Sequence, residues 1–442
     1  MAATFSERLL EKILARTVSK GMLTIIRSDR TSRSFGTPAP GYPEVTISLG
    51  DKRVARDILT DVRLGFGEAY FEGRILIERG DVMQLVALIR ANDRWEEGRR
   101  LNRPSFARRL GNRVSHLGRS FNNPDRSKKN VAHHYDIGNE LYRLMLDTEH
   151  MQYSCAYWSR DDMTLAEAQE SKLAHIGAKL NLKPGHRVLD IGCGWGGLAI
   201  FLAERAGVDV LGITLSTEQL ALARERADRA GLSDKVRFEL TDYRDLARRG
   251  ESFDRLVSVG MFEHVGLPQF EAFFRACATM LVEDGVMLLH TIGRMGSPGR
   301  TDAFTDKWIF PGGYIPALSE TVAASEKFRL IATDVETLRL HYALTIREWF
   351  RRCMENREKI IALYDERFFR LWTIYLAGAA TVFESGGMCN YQIQYARDRK
   401  TLPLTRGYLA GNERELFGPR PVRSPLPSGR TPVKAALLGI ES

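Results

Sequence analysis

Residues 188–197 form the stretch whose residue types and spacing could hold a ligand. Apolar residues and Asp190 predict a buried parallel strand. Three alternating glycines follow and permit a tight turn and a close backbone approach to a bound molecule. The spacing G-x-G-x-G differs from the dinucleotide fingerprint G-x-G-x-x-G, and no phosphate-binding Lys follows it. With a predicted helix at residues 198–205, the strand and turn make the first unit of a nucleotide-binding α/β fold.

Asp242, Glu263 and His290 are polar residues predicted to stand just past the ends of strands. The predicted strands span 188–191, 208–214, 236–240, 253–259 and 285–290, and the predicted helices around them span 164–180, 198–205, 216–230 and 270–281. Ligands of open parallel sheets lie at the carboxyl ends of the strands. We therefore expect one convergent site rather than scattered polar residues.

The composition indicates real hydrophobic cores and a basic surface. The 442 residues are too many for one ordinary domain and suit two or three, and 44% of them are hydrophobic. The net charge of +9, from 64 basic and 55 acidic residues, favours an anionic partner such as nucleic acid or anionic lipid. No run of about 18 apolar residues predicts a membrane-spanning helix. The first 20 residues lack the apolar core of a secretory signal.

Cysteine usage bears on metal binding and on the cellular compartment. The five cysteines are scattered without C-x-x-C spacing. This pattern argues against a zinc site or a disulfide framework and favours a reducing cytoplasm. We therefore predict a cytoplasmic protein with no metal site.

Residues 1–95 are predicted to form a separate α+β accessory domain. Its predicted elements are a helix carrying Phe5, Leu9, Leu10, Ile13 and Leu14, a strand at 45–49, a helix or strand at 54–60, a hairpin at 69–77, and a helix at 81–89 with Asp81 as its N-cap. This part of the sequence shows no catalytic constellation. It is therefore either a plain accessory domain or a substrate-presenting or dimer-forming module.

Residues 99–129 carry ten basic side chains against the single acid Asp125. The segment belongs to a linker predicted at 96–130. It is either simply solvated or contacts anionic headgroups, each basic residue then contributing about 1 kcal/mol. Nucleic acid would suit the charge, but no nucleic-acid-binding module is recognisable and aromatic residues are sparse. Residues 418–442 are rich in Pro, Arg and Ser and are predicted to be disordered.

Two aromatic and polar segments, 131–142 and 151–158, precede the glycine-rich turn. They predict a lid over the ligand or, alternatively, the packing of an N-terminal helix on the catalytic core. Beyond the predicted sheet, residues 341–345 suggest a late strand and residues 346–383 a long helical region.

The glycine-rich turn resembles motif I of the class I S-adenosylmethionine (SAM) methyltransferases. Further segments resemble the cyclopropane-fatty-acyl-phospholipid synthases and the related mycolic acid cyclopropane synthases. The matching segments, in family order, are 134–139 (HYDIGN), 153–157 (YSCAY), 189–197 (LDIGCGWGG), 214–216 (TLS), 262–266 (FEHVG), 289–293 (LHTIG) and 309–313 (IFPGG). The resemblance implies a doubly wound, Rossmann-like α/β fold for a catalytic domain at 131–417. Residues 1–95 look like the small α+β N-terminal domain of the longer, phospholipid-acting members.

The resemblance also implies which residues hold SAM. Tyr153 and Ser154 would touch its carboxylate end, and the glycine-rich turn its amino acid and ribose. Gln219 would replace the acid that usually binds the ribose hydroxyls. Asp242 and Tyr243 would bracket the adenine. The predicted cofactor-binding residues are Tyr153, Ser154, Asp190, Gly192, Gly194, Gly196, Thr214, Ser216, Gln219, Asp242 and Tyr243.

In the family a bicarbonate ion lies beside the transferred methyl group. The positions that match its ligands, which are the predicted catalytic residues, are Cys155, Glu263, His290, Ile292 and Tyr342. Glu263 can accept the bicarbonate hydroxyl proton in a hydrogen bond. Tyr342, His290 and the backbone N–H groups of Cys155 and Ile292 can donate to the other oxygens.

One position departs from the family pattern. The family often has a Cys, labelled catalytic, where this chain has Ala379, and Cys389 lies ten residues further on. Cys389 should therefore not inherit the role. Either that Cys is dispensable or the chain is an altered member, and we favour the first because the proposed base is bicarbonate.

The leading function implied by the resemblance is methyl transfer from SAM to a cis double bond of a phospholipid acyl chain, closing a cyclopropane ring. This implies peripheral contact with the inner face of the membrane and no nucleic acid, and a homodimer is one arrangement to test. The alternative within the family is a methyl- or methylene-branched product. Outside it stand N- or O-methylation of a small molecule and a lipid-binding module that retains SAM. The intact glycine-rich turn together with Glu263, His290 and Tyr342 argues against the last.

Methyl transfer to an alkene leaves a carbocation, and aromatic ring faces attract cations. The candidate aromatic walls are Tyr153, Tyr157, Phe262, Phe310 and Tyr314. Ordinary core packing is the alternative for each of them.

Overall fold

The computed structural model describes residues 3–98 and 138–417 of the chain, which forms two compact units. Unit one takes its described residues from 1–117, 301–311 and 343–387, and unit two from 118–300, 312–342 and 388–442. The predicted accessory domain thus shares a unit with two later segments that the sequence placed in the catalytic domain. The basic segment 99–129 and the tail 418–442 lie outside the described residues.

Unit one is built on a four-stranded sheet of order β2-β1-β3-β4. Its strands are β1 (Met22–Ile26), β2 (Ser32–Phe35), β3 (Glu44–Leu49) and β4 (Ile75–Arg79). β1 runs parallel to β3, whereas β2 and β4 are antiparallel to their neighbours. Burial alternates along β3, as expected for a strand with one face on a core. The strand predicted at 45–49 is therefore confirmed.

The helices of unit one support several sequence predictions. They are Phe5–Thr17, Arg53–Thr60, Val62–Phe71, Val82–Ala91, Ala303–Trp308, Arg357–Leu363, Glu366–Glu384 and most of His341–Glu355. Asp81 caps the fourth of them, because its carboxylate accepts the Gln84 N–H at 2.7 Å. Residues 54–60, which the sequence left open, are helical.

The hairpin predicted at 69–77 is wrong. These residues finish the helix Val62–Phe71 and begin β4. Asp61 starts that helix by accepting the N–H groups of Arg63 and Leu64 at 3.1 and 3.0 Å. Apolar residues flank the polar turn at 72–74 on both sides, so a short apolar run before the turn could be assigned to a strand although it ends a helix.

Unit two contains a seven-stranded sheet of order β10-β11-β9-β8-β5-β6-β7. Its strands are β5 (Arg187–Ile191), β6 (Asp209–Thr214), β7 (Val236–Leu240), β8 (Phe253–Val259), β9 (Leu281–Arg294), β10 (Ile331–Leu338) and β11 (Met388–Ala396). The run β9-β8-β5-β6-β7 is parallel, and β11 and β10 add an antiparallel edge. The predicted doubly wound α/β fold is confirmed, and the strand order reverses between β5 and β8.

Helices cover both faces of this sheet. The helices of unit two are Asn139–Met145, Leu165–Leu180, Gly197–Ala206, Thr217–Arg229, Tyr243–Arg248, Phe270–Met280, Leu318–Glu326 and Gly407–Phe417. One apolar core contains side chains of the helices Leu165–Leu180, Gly197–Ala206 and Thr217–Arg229. The other core contains side chains of the helices Tyr243–Arg248, Phe270–Met280 and Leu318–Glu326. Thr164 and Ser216 cap their helices by accepting the N–H groups of Glu167 and Gln219.

The elements near the carboxyl end differ most from the prediction. The late strand predicted at 341–345 is wrong, because these residues open the helix His341–Glu355. The helical region predicted at 346–383 is confirmed and is divided among three helices, whereas the strands β10 and β11 were missed. β11 is buried along its whole length, so it lacks the alternation that marks a half-exposed strand. No helix within 3–98 or 138–417 combines the length and apolar character that crossing a membrane requires.

Candidate functional site

A pocket opens in unit two at the carboxyl ends of β5, β6, β7 and β8, where the strand order reverses. Nine predicted cofactor residues line it: Tyr153, Ser154, Asp190, Gly192, Gly194, Thr214, Gln219, Asp242 and Tyr243. Residues distant in sequence converge there because parallel strands end at the same edge. Of the three residues expected to converge on one site, Asp242, which follows β7, lines the pocket, whereas Glu263 and His290 are not among its lining residues.

The glycine-rich turn brings bare backbone to the pocket. The N–H of Gly192 donates to Ile213 O at 2.9 Å, which ties the turn to the end of β6. Gly194 has φ +54°, and a Cβ placed there would meet no protein atom within 4 Å. Gly194 lines the pocket, so a side chain at this position would project into open space that a ligand can use.

Two predicted cofactor residues are not part of the pocket wall. A Cβ on Gly196 would lie 2.5 Å from the ring of Phe238. Its absence therefore allows the turn to pack on β7. The hydroxyl of Ser216 accepts the Gln219 N–H at 3.2 Å and caps a helix. Both residues shape the site through packing and capping.

Asp190 presents a buried carboxylate at the end of β5. Its side chain is 2% exposed, and Oδ2 has no hydrogen-bond partner among the residues that the structure describes. Burial raises the pKa of Asp190 to about 7, against a lowering effect of Lys172. A buried acceptor without a partner is suited to a ligand that brings its own donor, such as an ammonium group.

Gln219 is oriented by its neighbours on β6. The Thr214 hydroxyl donates to Gln219 Oε1 at 3.0 Å and accepts the Ser216 N–H at 3.2 Å. The amide oxygen of Gln219 is thereby used, which leaves its N–H groups as donors in a pocket-lining side chain. Such donors suit ribose hydroxyl oxygens, in line with the sequence prediction.

The pocket wall after β7 contains an ion pair. Asp242 accepts from the Arg244 backbone N–H at 2.9 Å and from its guanidinium at 2.7 and 2.8 Å. Burial raises the pKa of the neighbouring Tyr243 above its ordinary value, so this phenol stays neutral. The guanidinium of Arg244 lies 5.3 Å from the Tyr243 ring centre. Arg244 lines the pocket, and sequence reasoning missed it.

Residues 151–154 line a further part of the pocket, and residues 147–150 lead into it. The buried carboxylate of Asp147 accepts the N–H groups of His150, Met151 and Gln152 at 2.7, 3.0 and 2.9 Å. Met151 has φ +49°, a strained conformation that these bonds help to hold. Sequence reasoning missed Asp147, and a lone acid after a helix carried no signal that could have found it.

An aromatic cluster joins this wall to the glycine-rich turn. The ring of Tyr142 lies 5.1 Å from Tyr153 and 4.9 Å from Trp195, and the Trp195 indole donates to Asn139 at 2.8 Å. The helix Asn139–Met145 is thus packed on the pocket. These contacts match the packing alternative for residues 138–142, and the lid stays a prediction.

Glu263 lies in a short 3-10 helix, Phe262–His264, that follows β8. It is 7% exposed, and Oε1 accepts the Ile292 N–H at 2.5 Å. Oε2 has no hydrogen-bond partner within the described part of the chain. Burial raises the pKa of Glu263 to about 7, opposed by the hydrogen bond from Ile292 and by the nearby Thr291 hydroxyl. That hydroxyl donates to Ile292 O at 3.1 Å, so it does not occupy Oε2. A carboxylate with one oxygen fixed and the other available can accept a proton or a hydroxyl hydrogen bond near neutral pH.

His290 does not stand past a strand end, and that expectation is wrong. β9 continues to Arg294, so His290 lies within it and faces β11. Its ring nitrogens lie 3.1 Å from Gln392 Nε2 and 3.4 Å from Asn390 Nδ2. Burial, with a contribution from Lys172, lowers the pKa of His290 to about 3, so the imidazole is neutral.

Two further predicted catalytic residues, Cys155 and Tyr342, are also buried in unit two, and the fifth, Ile292, is partly buried. Cys155 follows the pocket residue Ser154. Burial raises the pKa of its thiol well above the ordinary value, so it is no thiolate nucleophile. Tyr342 lies in the first turn of the helix His341–Glu355.

Comparison with known proteins gives this geometry a context. A family model described as mycolic acid cyclopropane synthetase matches residues 122–393. The cyclopropane-fatty-acyl-phospholipid synthase of Escherichia coli K12 is 38% identical over 84% of this chain and 93% of its own length. A probable fatty acid methyltransferase of Pseudomonas putida is 38% identical over 82% of this chain and 91% of its own. The chain belongs to the mycolic acid cyclopropane synthetase family.

Solved structures agree with membership of the cyclopropane synthetase family. A cyclopropane synthase from Mycobacterium tuberculosis has a TM-score of 0.58 at 34% identity, over 61% of this chain and 98% of its own. A mycolic acid cyclopropane synthase in complex with S-adenosylhomocysteine and CTAB has a TM-score of 0.58 at 35% identity, with the same coverage. The protein is a SAM-dependent methyltransferase of the class I fold.

The pocket fits SAM on structural grounds. At Gly194 the open space lets a ligand lie against bare backbone. The unpaired oxygen of Asp190 can accept from the ammonium group of SAM, and the N–H groups of Gln219 can donate to its ribose hydroxyls. The role of each predicted residue toward SAM or bicarbonate stays a prediction.

Most of the predicted aromatic walls are engaged in packing. The Tyr157 ring is stacked between His175 and His341, with centroids 4.1 and 5.0 Å away. Phe262 lies in the core, 4.2 Å from Phe270. Tyr314 donates to Glu320 at 2.6 Å, and Phe310, in unit one, lies 5.9 Å from Tyr375. Tyr153 is the candidate that lines the pocket.

Proposed function

We propose that this methyltransferase closes cyclopropane rings on the cis double bonds of unsaturated acyl chains in phospholipids. The observation that carries the proposal is the buried carboxylate of Glu263, next in sequence to the SAM-pocket residue His264. A methyltransferase acting on an amine or a hydroxyl can use a lone pair. An alkene offers only a π bond, and its methylation requires a proton to be removed from carbon afterwards.

The protein must meet two requirements of this reaction: it must position the alkene away from water, and it must provide for removal of a proton. SAM supplies an electrophilic methyl group. The protein must hold the alkene in line with it and exclude water, since a double bond is a poor nucleophile. The π electrons form the new carbon–carbon bond and leave a cation on the neighbouring carbon. Loss of a proton from the added methyl group then provides the electrons that close the ring.

Bicarbonate is the proposed acceptor of that proton. The residues that would hold it are Glu263, Tyr342, His290 and the backbone of Cys155 and Ile292. The unpaired Oε2 of Glu263 fits the bicarbonate hydroxyl. The Ile292 N–H donates to Glu263 in this structure, so it would have to exchange partners to serve the anion. Bicarbonate supplies a weak base there. A carboxylate fixed against the sulfonium methyl, by contrast, could itself be alkylated.

Lipids of a bacterial host expressing the protein should contain acyl chains with one added CH₂. A cyclopropane and a methylene branch have the same mass, so proton NMR is needed to identify ring protons at high field. Feeding methyl-deuterated methionine should leave two deuterons on a ring carbon, because one is lost with the base. Three retained deuterons in a methyl branch would instead support the branched-chain alternative, and unchanged lipids with methylated amines would contradict the proposal.

The basic segment 99–129 supports peripheral membrane contact at the cytoplasmic face. Co-sedimentation of the full chain with vesicles should rise with the fraction of anionic lipid and fall as salt is added, because charge attraction is screened over about 8 Å at physiological ionic strength. Replacing the basic residues of 99–129 with Gln should remove the salt-sensitive part. Equal sedimentation on neutral vesicles at high salt would show that apolar insertion dominates.

A further inference from the structure

Lys172 is a charged side chain that the proposed function does not use. It lies in the middle of the helix Leu165–Leu180 and is 0% exposed. A buried ammonium is costly unless it is paired and hydrogen-bonded. Its surroundings show what holds it.

The Lys172 ammonium forms hydrogen bonds with two residues of the pocket wall. It donates to Gln152 Oε1 and to Ser154 Oγ, the latter at 3.1 Å. Gln152 and Ser154 both line the SAM pocket. From the same helix, Gln169 donates to the backbone oxygens of Ser154 and Gln152 at 3.0 and 3.3 Å. The helix thus holds this part of the wall through two side chains one turn apart.

The contact with Lys172 determines whether the Ser154 hydroxyl donates or accepts. An ammonium has only donors, so Ser154 Oγ must be the acceptor toward Lys172. The single hydroxyl proton of Ser154 is then left for another acceptor, and within 138–417 the structure shows it donating to none. Lys172 therefore makes Ser154 a donor in the pocket wall and places a positive charge behind it.

The charge persists at neutral pH. Burial lowers the pKa of Lys172 to about 8, while Asp147, Cys155 and Asp190 oppose this shift. Both carboxylate oxygens of Asp147 already accept backbone N–H groups.

We propose that Lys172 is a positioning residue that makes the Ser154 end of the pocket the site of the SAM carboxylate. The inference rests on the proposed function, because it assumes that SAM occupies this pocket. The cation acts through Ser154 and its field. Its loss should therefore weaken ligands that carry the carboxylate and spare those that lack it.

Calorimetry at pH 7 with SAM and with decarboxylated SAM tests the inference. Lys172→Met should weaken SAM binding by about 10- to 100-fold, the range expected for a charge-assisted hydrogen bond. It should change binding of decarboxylated SAM by no more than about twofold. Equal loss for both ligands would assign Lys172 a general structural role and overturn the inference.

Lys179 provides a matched control on the same helix. It is also 0% exposed, but it donates to Glu336 and does not line or support the pocket wall. Lys179→Met should leave the ratio of the two affinities unchanged even if it lowers the melting temperature. A wild-type protein that binds neither ligand would refute the proposed function itself, which is a different outcome from a lost preference.

Two further variants keep the test decisive. If Lys172→Met does not fold, Lys172→Gln should show the same loss of preference, because a neutral amide leaves no cation behind Ser154. Lys172→Arg, which keeps the charge, should retain a preference for SAM. Ser154→Ala combined with the Lys172 variant should add little to either single change, and full additivity would mean that Lys172 does not act through Ser154.

Discussion

Glu263→Gln is expected to lower kcat at saturating SAM by about 10²- to 10³-fold, the range for removal of a group that acts in proton transfer. The amide oxygen can still accept the Ile292 N–H, so the fold around the site should persist. The change removes the charge and puts a donor where Oε2 offers an acceptor. Calorimetric SAM affinity should stay within about twofold, because the lost interaction acts in the transition state.

The pH profile of the same variant gives an independent readout. Burial raises the pKa of Glu263 to about 7, and the carboxylate is the active form, so wild-type kcat should fall as the pH decreases below about 7. With the bicarbonate concentration held constant at every pH, Glu263→Gln should lack the acidic limb that comes from protonation of Glu263. Burial also raises the pKa of Asp190 to about 7. Protonation of Asp190 should change the affinity for SAM, and measuring kcat at saturating SAM removes that effect.

Buffer composition then tests whether bicarbonate is the base. If Glu263 anchors bicarbonate, wild-type turnover should fall in bicarbonate-free buffer, and the variant should respond weakly to added bicarbonate. Wild-type turnover by Glu263→Gln in bicarbonate-free buffer would contradict the proposed base. Appearance of methylene-branched or hydroxylated chains would show that Glu263 controls the fate of the cation.

Gly194→Val is expected to weaken SAM binding by at least about 100-fold, which corresponds to roughly 2.7 kcal/mol. Gly194 lines the pocket, and a Cβ there meets no protein atom within 4 Å. The valine would therefore occupy ligand space rather than clash with the fold. Calorimetry on the purified variant measures the effect, with activity expected to fall in parallel at limiting SAM.

Gly231→Val is the control for backbone strain. Gly231 has φ +68° against +54° for Gly194, and a Cβ there also meets nothing within 4 Å. It follows the helix Thr217–Arg229 and lies away from the pocket wall. Both variants should lose similar thermal stability, because a β-branched residue is strained at positive φ. Equal loss of SAM affinity in both variants would show that the glycine-rich turn is not part of the SAM-binding site.

Local sequence determined the main elements of the catalytic fold. The run of β5, the glycine-rich turn and the helix Gly197–Ala206 was predicted because each has its own short-range pattern. Parallel strands must end at one edge, so Asp242 could be expected at a ligand site without coordinates. Asp190 and Gln219, which line the same pocket, were assigned to it by the family resemblance. The helix cap at Asp81 was equally local.

The tertiary structure alone decided the environment of the reactive groups. Lys172 reads as an ordinary helical lysine, and the fold buries it completely under Ser154, 18 positions earlier. His290 reads as the end of a strand, but its ring partner Gln392 comes from β11, 102 positions later. Desolvation and pairing depend on everything that surrounds a side chain in space. A sequence therefore determined which groups were present and on which elements, and only the packed structure determined their charge states, their partners and the direction in which each can donate.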